Sequence, residues 1–341
     1  MNKRASKKKH TFSFLIVFTI LSVLLAACGG GSDSEQTGEE EGAKGGNETI
    51  RIGYVNILSN APAVVAQNKK LMEEQGLTGE FYSFANGPDL YKALSSGKLD
   101  IAYAGVPAAV NWAARGADMK AIAKVSDGKF GLMVGGDSGI QQPADLKGKK
   151  IGSLVQGSGA DILLRGMILP EGKLKESDVS IVQMQMATME QAISKGSIDA
   201  AMAGEPFLSL AELRGAKVVK EVPDPALVVL AREDLLKDEP EKVEKFMEGH
   251  KASINFINEN KEEAAEVLVQ SFNIPSATDQ SGKEWAPKDV LMKALERHSF
   301  DHKITQEDFT FYQEVADLNH QLKMIDEPFD VDTLFDKNWI Q

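Results

Sequence analysis

One segment of this 341-residue chain occurs twice. Ala93–Ala117 (ALSSGKLDIAYAGVPAAVNWAARGA) and Ala192–Ala216 (AISKGSIDAAMAGEPFLSLAELRGA) align without a gap at an offset of 99, with 11 identities in 25 positions. Gly97/Gly196, Asp100/Asp199, Gly105/Gly204 and Pro107/Pro206 are among them. The same offset sets Ile52-Gly53 against Ile151-Gly152, Ser59 against Ser158 and Ala61 against Ala160. Solenoid repeats recur every 20–50 residues or so. A period this long implies two similar lobes instead, each built from the same strand–helix–strand order.

The patterning within each copy supports that reading. Ile50–Val55 alternates and is β-branched, so it predicts a strand, as do Glu80–Phe84, Asp100–Ala104 and Ala121–Val125. Between them, Ala61–Gln75 and the stretch from Gly87 to Gly97 have helical spacing, and Gly105-Val-Pro107 opens a helix through Arg115. Phe130–Gly135, Ile151–Val155, Val179–Met184, Ile198–Ala203, Val218–Val222 and Ala226–Ala231 read as further strands, and a helix from Gly157 through Leu169 follows the second of them. Strands alternating with helices of this length imply βαβ units and parallel sheets. From Glu239 only helices are expected: Glu239–Asn258, Lys261–Phe272, Pro287–Arg297, Thr305–Gln321 and Val331–Phe335. On the first of these, Val243, Phe246, Met247, Ile254 and Ile257 form a core-facing stripe. Thr305 with Asp308 forms a capping box on the fourth.

The N-terminus has the pattern of a targeting segment. Lys3, Arg4, Lys7, Lys8 and Lys9 precede the short apolar run Phe12–Leu25, as in a secretory signal. Leu25-Ala26-Ala27-Cys28 resembles the bacterial lipobox, which implies removal of residues 1–27 and lipidation of Cys28. Those five positive charges would leave with residues 1–27, taking the net charge from −12 to −17. Such an acidic chain is unsuited to nucleic acid or an anionic lipid surface. Residues 28–49, rich in Gly, Ser and Glu, bury nothing and are expected to be a flexible tether.

Taken together, Ile52-Gly-Tyr54, Ser96-Gly-Lys-Leu-Asp100, Asp145-Leu-Lys-Gly-Lys-Lys-Ile151, Gly157-Ser-Gly-Ala160 and Ile198-Asp-Ala-Ala-Met-Ala-Gly-Glu-Pro-Phe207 resemble a known family. They look like the solute-binding lipoproteins of ABC importers for sulfonate, nitrate, taurine and thiamine precursor. That resemblance, which runs from Ile50 to the C-terminus, implies an α/β, two-lobed type II periplasmic-binding-protein fold with a hinge and a helical C-terminal part. It places lobe one at 50–134 plus 227–341 and lobe two at 135–226, with crossings near Met133–Asp137, where Gly131, Gly135 and Gly136 give backbone freedom, and near Val222–Val228. It further implies a monomer on the extracytoplasmic face of the membrane, held by its lipid, that closes on a small organic anion and delivers it to ABC permease subunits and their ATPase. An aliphatic or taurine-like sulfonate is the favoured ligand. Nitrate, a thiamine-precursor pyrimidine, or a sensor role without transport are the alternatives. A pyrimidine-synthesising enzyme branch shares the fold but depends on a cysteine-rich motif and a histidine that the cleft segments lack.

Ligands of open α/β sheets bind beyond the carboxyl ends of the strands, where helix N-termini offer free N–H groups. The candidate residues are accordingly Ser59 and Asn60 with Gln156, Gly157, Ser158 and Gly159, and Gly105, Val106 and Pro107 with Gly204, Glu205 and Pro206. Ser59 and Ser158 either hold the oxyanion or are plain helix caps. Glu205, opposite Val106 in the repeat, pairs either with an ammonium group of the ligand or with a protein cation. Asn86 is a further polar candidate for the rim. No cofactor is expected. Gly157-Ser-Gly lacks the lysine of a phosphate-binding loop, no Gly-x-Ser-x-Gly elbow is present, and His298 and His302 lack a third ligand at metal spacing, so no metal is expected. The methionines at 184, 186, 189 and 202 are expected to fill core.

Overall fold

The computed structural model describes residues 48–224 and 227–340. The expected signal peptide, Cys28 and nearly all of the tether lie outside them. In chain order the first run is β1 (Glu48–Val55), α1 (Ala61–Lys69), β2 (Leu77–Phe84), α2 (Gly87–Ser95), β3 (Ile101–Gly105), α3 (Val106–Ala113) and β4 (Met119–Ser126). The second is β5 (Lys129–Val134), β6 (Lys150–Ser153), α4 (Gly159–Leu163), α5 (Leu169–Glu171), β7 (Ser180–Gln183), α6 (Met186–Ser194), β8 (Ala200–Ala203), α7 (Phe207–Leu213) and β9 (Lys217–Pro223). The chain then continues through β10 (Leu227–Arg232), α8 (Glu233–Asp238), α9 (Pro240–Glu259), α10 (Lys261–Phe272), β11 (Ala277–Thr278), β12 (Glu284–Trp285), α11 (Pro287–Leu295) and α12 (Gln306–Gln321).

The repeat is realised as two five-stranded sheets of the same order, β2-β1-β3-β10-β4 and β7-β6-β8-β5-β9. Even the register repeats. Ile52 pairs with Ile101 and Gly53 with Ala102, while 99 residues on Ile151 pairs with Ala200 and Gly152 with Ala201. The conserved spacing of Asp100 and Asp199 has the same physical basis in both copies. Each carboxylate accepts a backbone N–H of the neighbouring strand, Arg51 within β1 at 2.9 Å and Lys150 at the start of β6 at 2.8 Å, and so extends the ladder between the strands. Gly97 and Gly196, at φ 73° and 67°, make the left-handed turns that bring each aspartate into place.

Burial distinguishes the two copies. Asp100 is almost fully buried and also takes two bonds from the Arg51 guanidinium at 3.0 and 2.6 Å, whereas the Asp199 side chain is 39% exposed. Burial pushes the Asp100 carboxyl up, but the bonds from Arg51 outweigh it and hold its pKa below the usual range. Asp100→Ala is therefore expected to cost about 2–3 kcal/mol and Asp199→Ala about 1 kcal/mol or less. Paired denaturant titrations measure the difference, and equal losses would rule out burial as its source.

The first crossing between sheets lies between Ser126 and Lys129, not near Met133–Asp137. Residues 129–134, expected in the first lobe, form β5, an inner strand of the second sheet antiparallel to both β8 and β9. An apolar run buried on both faces carries no local mark of which sheet receives it. The return crossing falls between Pro223 and Leu227, after which β10 inserts antiparallel between β3 and β4. Each sheet thus takes its fourth strand from a crossing segment.

The remaining helices clothe the first sheet. Val243, Phe246, Met247, Ile254 and Ile257 of α9 are buried in one core with α1, α10 and α11, and α12 packs with α2 and α3 in another. Both side chains of the Thr305–Asp308 capping box are in place. Several expected elements differ in extent. α1 ends at Lys69 because Lys70 turns left-handed (φ 56°) and closes the helix. The helix after Gly157 widens into a π turn at Leu164–Ile168, and the C-terminal part contains the β11–β12 ribbon as well as helices.

Candidate functional site

Between the two sheets lies a small cavity of about 80 Å³. Its wall is formed by the ends of β1 and β3, by Asn86 before α2, by Leu154 and Ser158 after β6, and by Met186 after β7. These are carboxyl ends of parallel strands in both sheets, where a doubly wound architecture places its ligands. Of the larger grooves, one of about 620 Å³ runs along α11 away from the strand ends, while one of about 470 Å³ shares Val55, Ile57, Leu154 and Met186 with this cavity and continues it outward to Arg214 and Phe272.

Of the residues singled out from sequence, Asn60, Gly105, Pro107, Ser158 and Gly159 line this cavity, as does Asn86. Tyr91, Phe130, Met186 and Asp224 also line it and were not expected. Asp224 had one sequence signal, a charged residue between Pro223 and Pro225 at a sheet crossing. Met186 was expected only as core filler. Ser59, Val106, Gln156, Gly157, Gly204, Glu205 and Pro206 do not reach the cavity wall.

The two repeated serines do different work. Ser158 caps α4, accepting the Asp161 N–H at 3.4 Å, and keeps its own proton free to donate. Gly159 and Ala160 behind it open the helix, so their N–H groups have no intrahelical acceptor. Ser59 is turned away. Its hydroxyl donates to Asp224 Oδ2 at 2.7 Å and lies 3.0 Å from His298 Nε2. With the serine proton on Asp224, the imidazole must be the donor, which places its proton on Nε2. Burial lowers the His298 pKa to about 4, so the ring stays neutral. Asp224 is also buried. Burial, with Asp127 nearby, raises its carboxyl to about 6 despite the Ser59 bond. The two crossings meet here: Asp224 N–H donates to Gly128 O at 2.8 Å, and Asp127 exchanges backbone bonds with Ser299.

Glu205 faces protein, not ligand. Arg297, between α11 and α12, donates to Glu205 Oε1 at 2.8 Å, to both oxygens of Glu212 at 2.9 Å and to Glu221 at 2.8 Å. Ser209 completes the shell of Glu205 from its N–H and its hydroxyl. Burial pushes the Glu205 carboxyl up, while these partners pull it down. Of the two partners expected for Glu205, a ligand ammonium or a protein cation, the structure supplies the second: a carboxylate with a wholly buried side chain has found Arg297, and Glu205 leaves the set of residues at the cavity. Arg297 comes from a segment packed on the first sheet, and its three carboxylates belong to the second half. It bridges the cleft.

The NMT1/THI5-like family model matches residues 58–264. The chain belongs to the NMT1/THI5-like family. Within it, a Bacillus subtilis (strain 168) protein named as a candidate aliphatic sulfonates-binding protein is 29% identical over 339 residues, spanning 96% of this chain and 95% of the relative. The yeast 4-amino-5-hydroxymethyl-2-methylpyrimidine phosphate synthase THI5 is 27% identical over 230 residues, 61% of this chain and 66% of that one. Among solved structures, the aliphatic sulphonate binding protein SsuA of Escherichia coli superposes with a TM-score of 0.69 at 21% identity, covering 85% of this chain and 92% of that one. At this identity the likeness establishes the periplasmic-binding-protein fold. The relative that matches over nearly its full length is a binding protein. Among the described residues no group of three His, Cys, Asp or Glu side chains is placed to hold a metal, and no helix is long and apolar enough to cross a membrane.

Proposed function

We propose that this protein is the extracytoplasmic solute-binding component of an ABC importer and captures a small organic sulfonate between its two halves. The observation that carries the reading is the cavity at the strand ends of both sheets, whose wall is mostly apolar and supplies hydroxyl and helix-terminal N–H donors from Ser158 and Gly159. The full-length similarity to the Bacillus subtilis relative supports a sulfonate head group. The two sheets with their helices act as lobes, and the crossings at 126–129 and 223–227 act as the hinge. Ligand contacts to both lobes favour the closed state, which is the form delivered to the permease. Cys28, lipidated, anchors the monomer to the membrane.

The reading is of a carrier and not an enzyme. Ser59, His298 and Asp224 form a constellation that superficially resembles a hydrolytic triad. However, the serine proton points at the carboxylate, and Ser59 does not line the cavity.

A thermal-shift panel with alkanesulfonates, taurine, nitrate and an aminopyrimidine tests the assignment. A sulfonate at about 100 times its Kd contributes about 2.7 kcal/mol, a rise of roughly 5 °C or more. Ser158→Ala is expected to weaken that ligand about five- to tenfold, the value of one hydrogen bond. A response to nitrate or the aminopyrimidine alone would replace the sulfonate, and unchanged affinity in Ser158→Ala would remove the serine from the site.

A further inference from the structure

The cavity read as an anion site already has a carboxyl group in its wall. Asp224 is buried and lines the cavity together with Ser158 and Gly159. Among the described residues its one side-chain partner is the Ser59 hydroxyl, a neutral donor, at 2.7 Å from Oδ2. No lysine, arginine or histidine lines the cavity, and Tyr91, the other titratable group in the wall, donates to Gly105 O. The charged groups beside Asp224 do not offset it either. Asp127 of the first crossing adds negative charge, and its own cation, Lys124 of β4 at 2.7 Å, is shared with Asp308 of α12 at 2.6 Å. His298, reached across Ser59, is neutral.

A sulfonate stays ionised at any pH near neutral. Like charges that share a small site with no cation do not both persist, and the weaker acid takes up a proton. We infer, resting on the reading of a sulfonate ligand, that Asp224 takes one proton from solvent as the anion enters, so that the protein captures an anion and a proton together. The proton goes to Oδ1, because Oδ2 already accepts from Ser59. The carboxyl thereby changes from a repelling charge into a neutral group with an O–H of its own to donate. Burial prepares the step. It raises the Asp224 carboxyl to about 6 before any ligand arrives, with Asp127 adding to the rise and the Ser59 bond opposing it. The bound anion raises it further, so binding is favoured as pH falls toward 6.

Isothermal titration of the purified protein with 1-propanesulfonate, a probe with no group that titrates near neutral pH, tests the inference. Affinity is expected to rise about three- to tenfold for each unit that pH falls below about 8, and to level off below about pH 6, where the free carboxyl already holds its proton. Titrations at pH 7.5 in two buffers of different ionisation enthalpy should count an uptake of at least about half a proton per ligand bound. Asp224→Asn, whose neutral amide keeps an acceptor for Ser59, is expected to bind the probe at least about tenfold tighter than the unmutated protein at pH 8, with a flat pH profile and no proton uptake. Should that variant fail to fold, Ser59→Ala gives a second readout. Removing the donor lifts the carboxyl further, so the levelling-off should move to higher pH. Binding with a flat profile and no uptake, uptake retained in Asp224→Asn, or a levelling-off unmoved in Ser59→Ala would overturn the role of Asp224 and leave sulfonate capture intact. No binding of 1-propanesulfonate at any of these pH values would overturn the sulfonate reading itself.

Discussion

Arg297→Ala is expected to destabilise the closed protein by about 3–5 kcal/mol, the usual cost of stripping the partner from a buried charge. The weight falls on Glu205, whose side chain is fully buried, because Glu212 and Glu221 remain 26% and 33% exposed and water can replace the arginine there. Two routes relieve the stranded carboxylate. It can be hydrated by opening of the cleft, or it can take up a proton. The first predicts a larger radius of gyration in small-angle scattering and weaker ligand binding, since part of each affinity is then spent on closing. The second predicts a loss that shrinks as pH falls, because protonating Glu205 removes the charge that Arg297 was balancing. Glu205→Gln in the Arg297→Ala background should recover much of the lost stability, a coupling that a double-mutant cycle reads directly. A loss under about 1 kcal/mol would mean that Arg297 is not what holds the halves together.

Ala108→Phe is expected to abolish ligand binding, weakening it at least about a hundredfold, while the protein still folds. Ala108 is nearly buried in the first turn of α3, and its methyl group faces the cavity. A phenyl ring there occupies most of the 80 Å³ available. Because the ring enters space that is already present, the folding cost should stay within the roughly 1–3 kcal/mol typical of overpacking. Calorimetry with the ligand found in the panel, together with a denaturation curve, separates the two effects. Binding that survives would move the site elsewhere, with the groove of about 620 Å³ along α11 as the next place to test.

Much of this architecture is legible in the residues because the signals are local or periodic. The offset of 99 between the copies predicts two lobes, and the structure returns it as identical strand order and, between β1 and β3 and between β6 and β8, the same register. Turn glycines, the Thr305–Asp308 cap and the stripe on α9 are equally local, and each is found where the sequence puts it. The helix-terminal positions Asn60, Gly105, Pro107, Ser158 and Gly159 at the cavity follow from the rule that ligands sit beyond strand ends.

What the chain does at long range was decided by tertiary structure alone. Ser59 and Ser158 are equivalent by repeat, yet one caps a helix and the other is claimed by Asp224, 165 residues away, and by His298, 239 residues away. Glu205 reads from sequence as a carboxylate at a strand end. Its cation lies 92 residues on, beyond the second sheet and on the far side of the cleft. The strand at 129–134 is apolar wherever it goes, and only the pairing partners β8 and β9 assign it to the second sheet. Periodicity records which face of an element is buried, because burial follows the geometry of a single helix or strand. It does not record what that face meets. Partner choice is set by packing among segments far apart in the chain, and the partners of Ser59 and Glu205 belong to that second category.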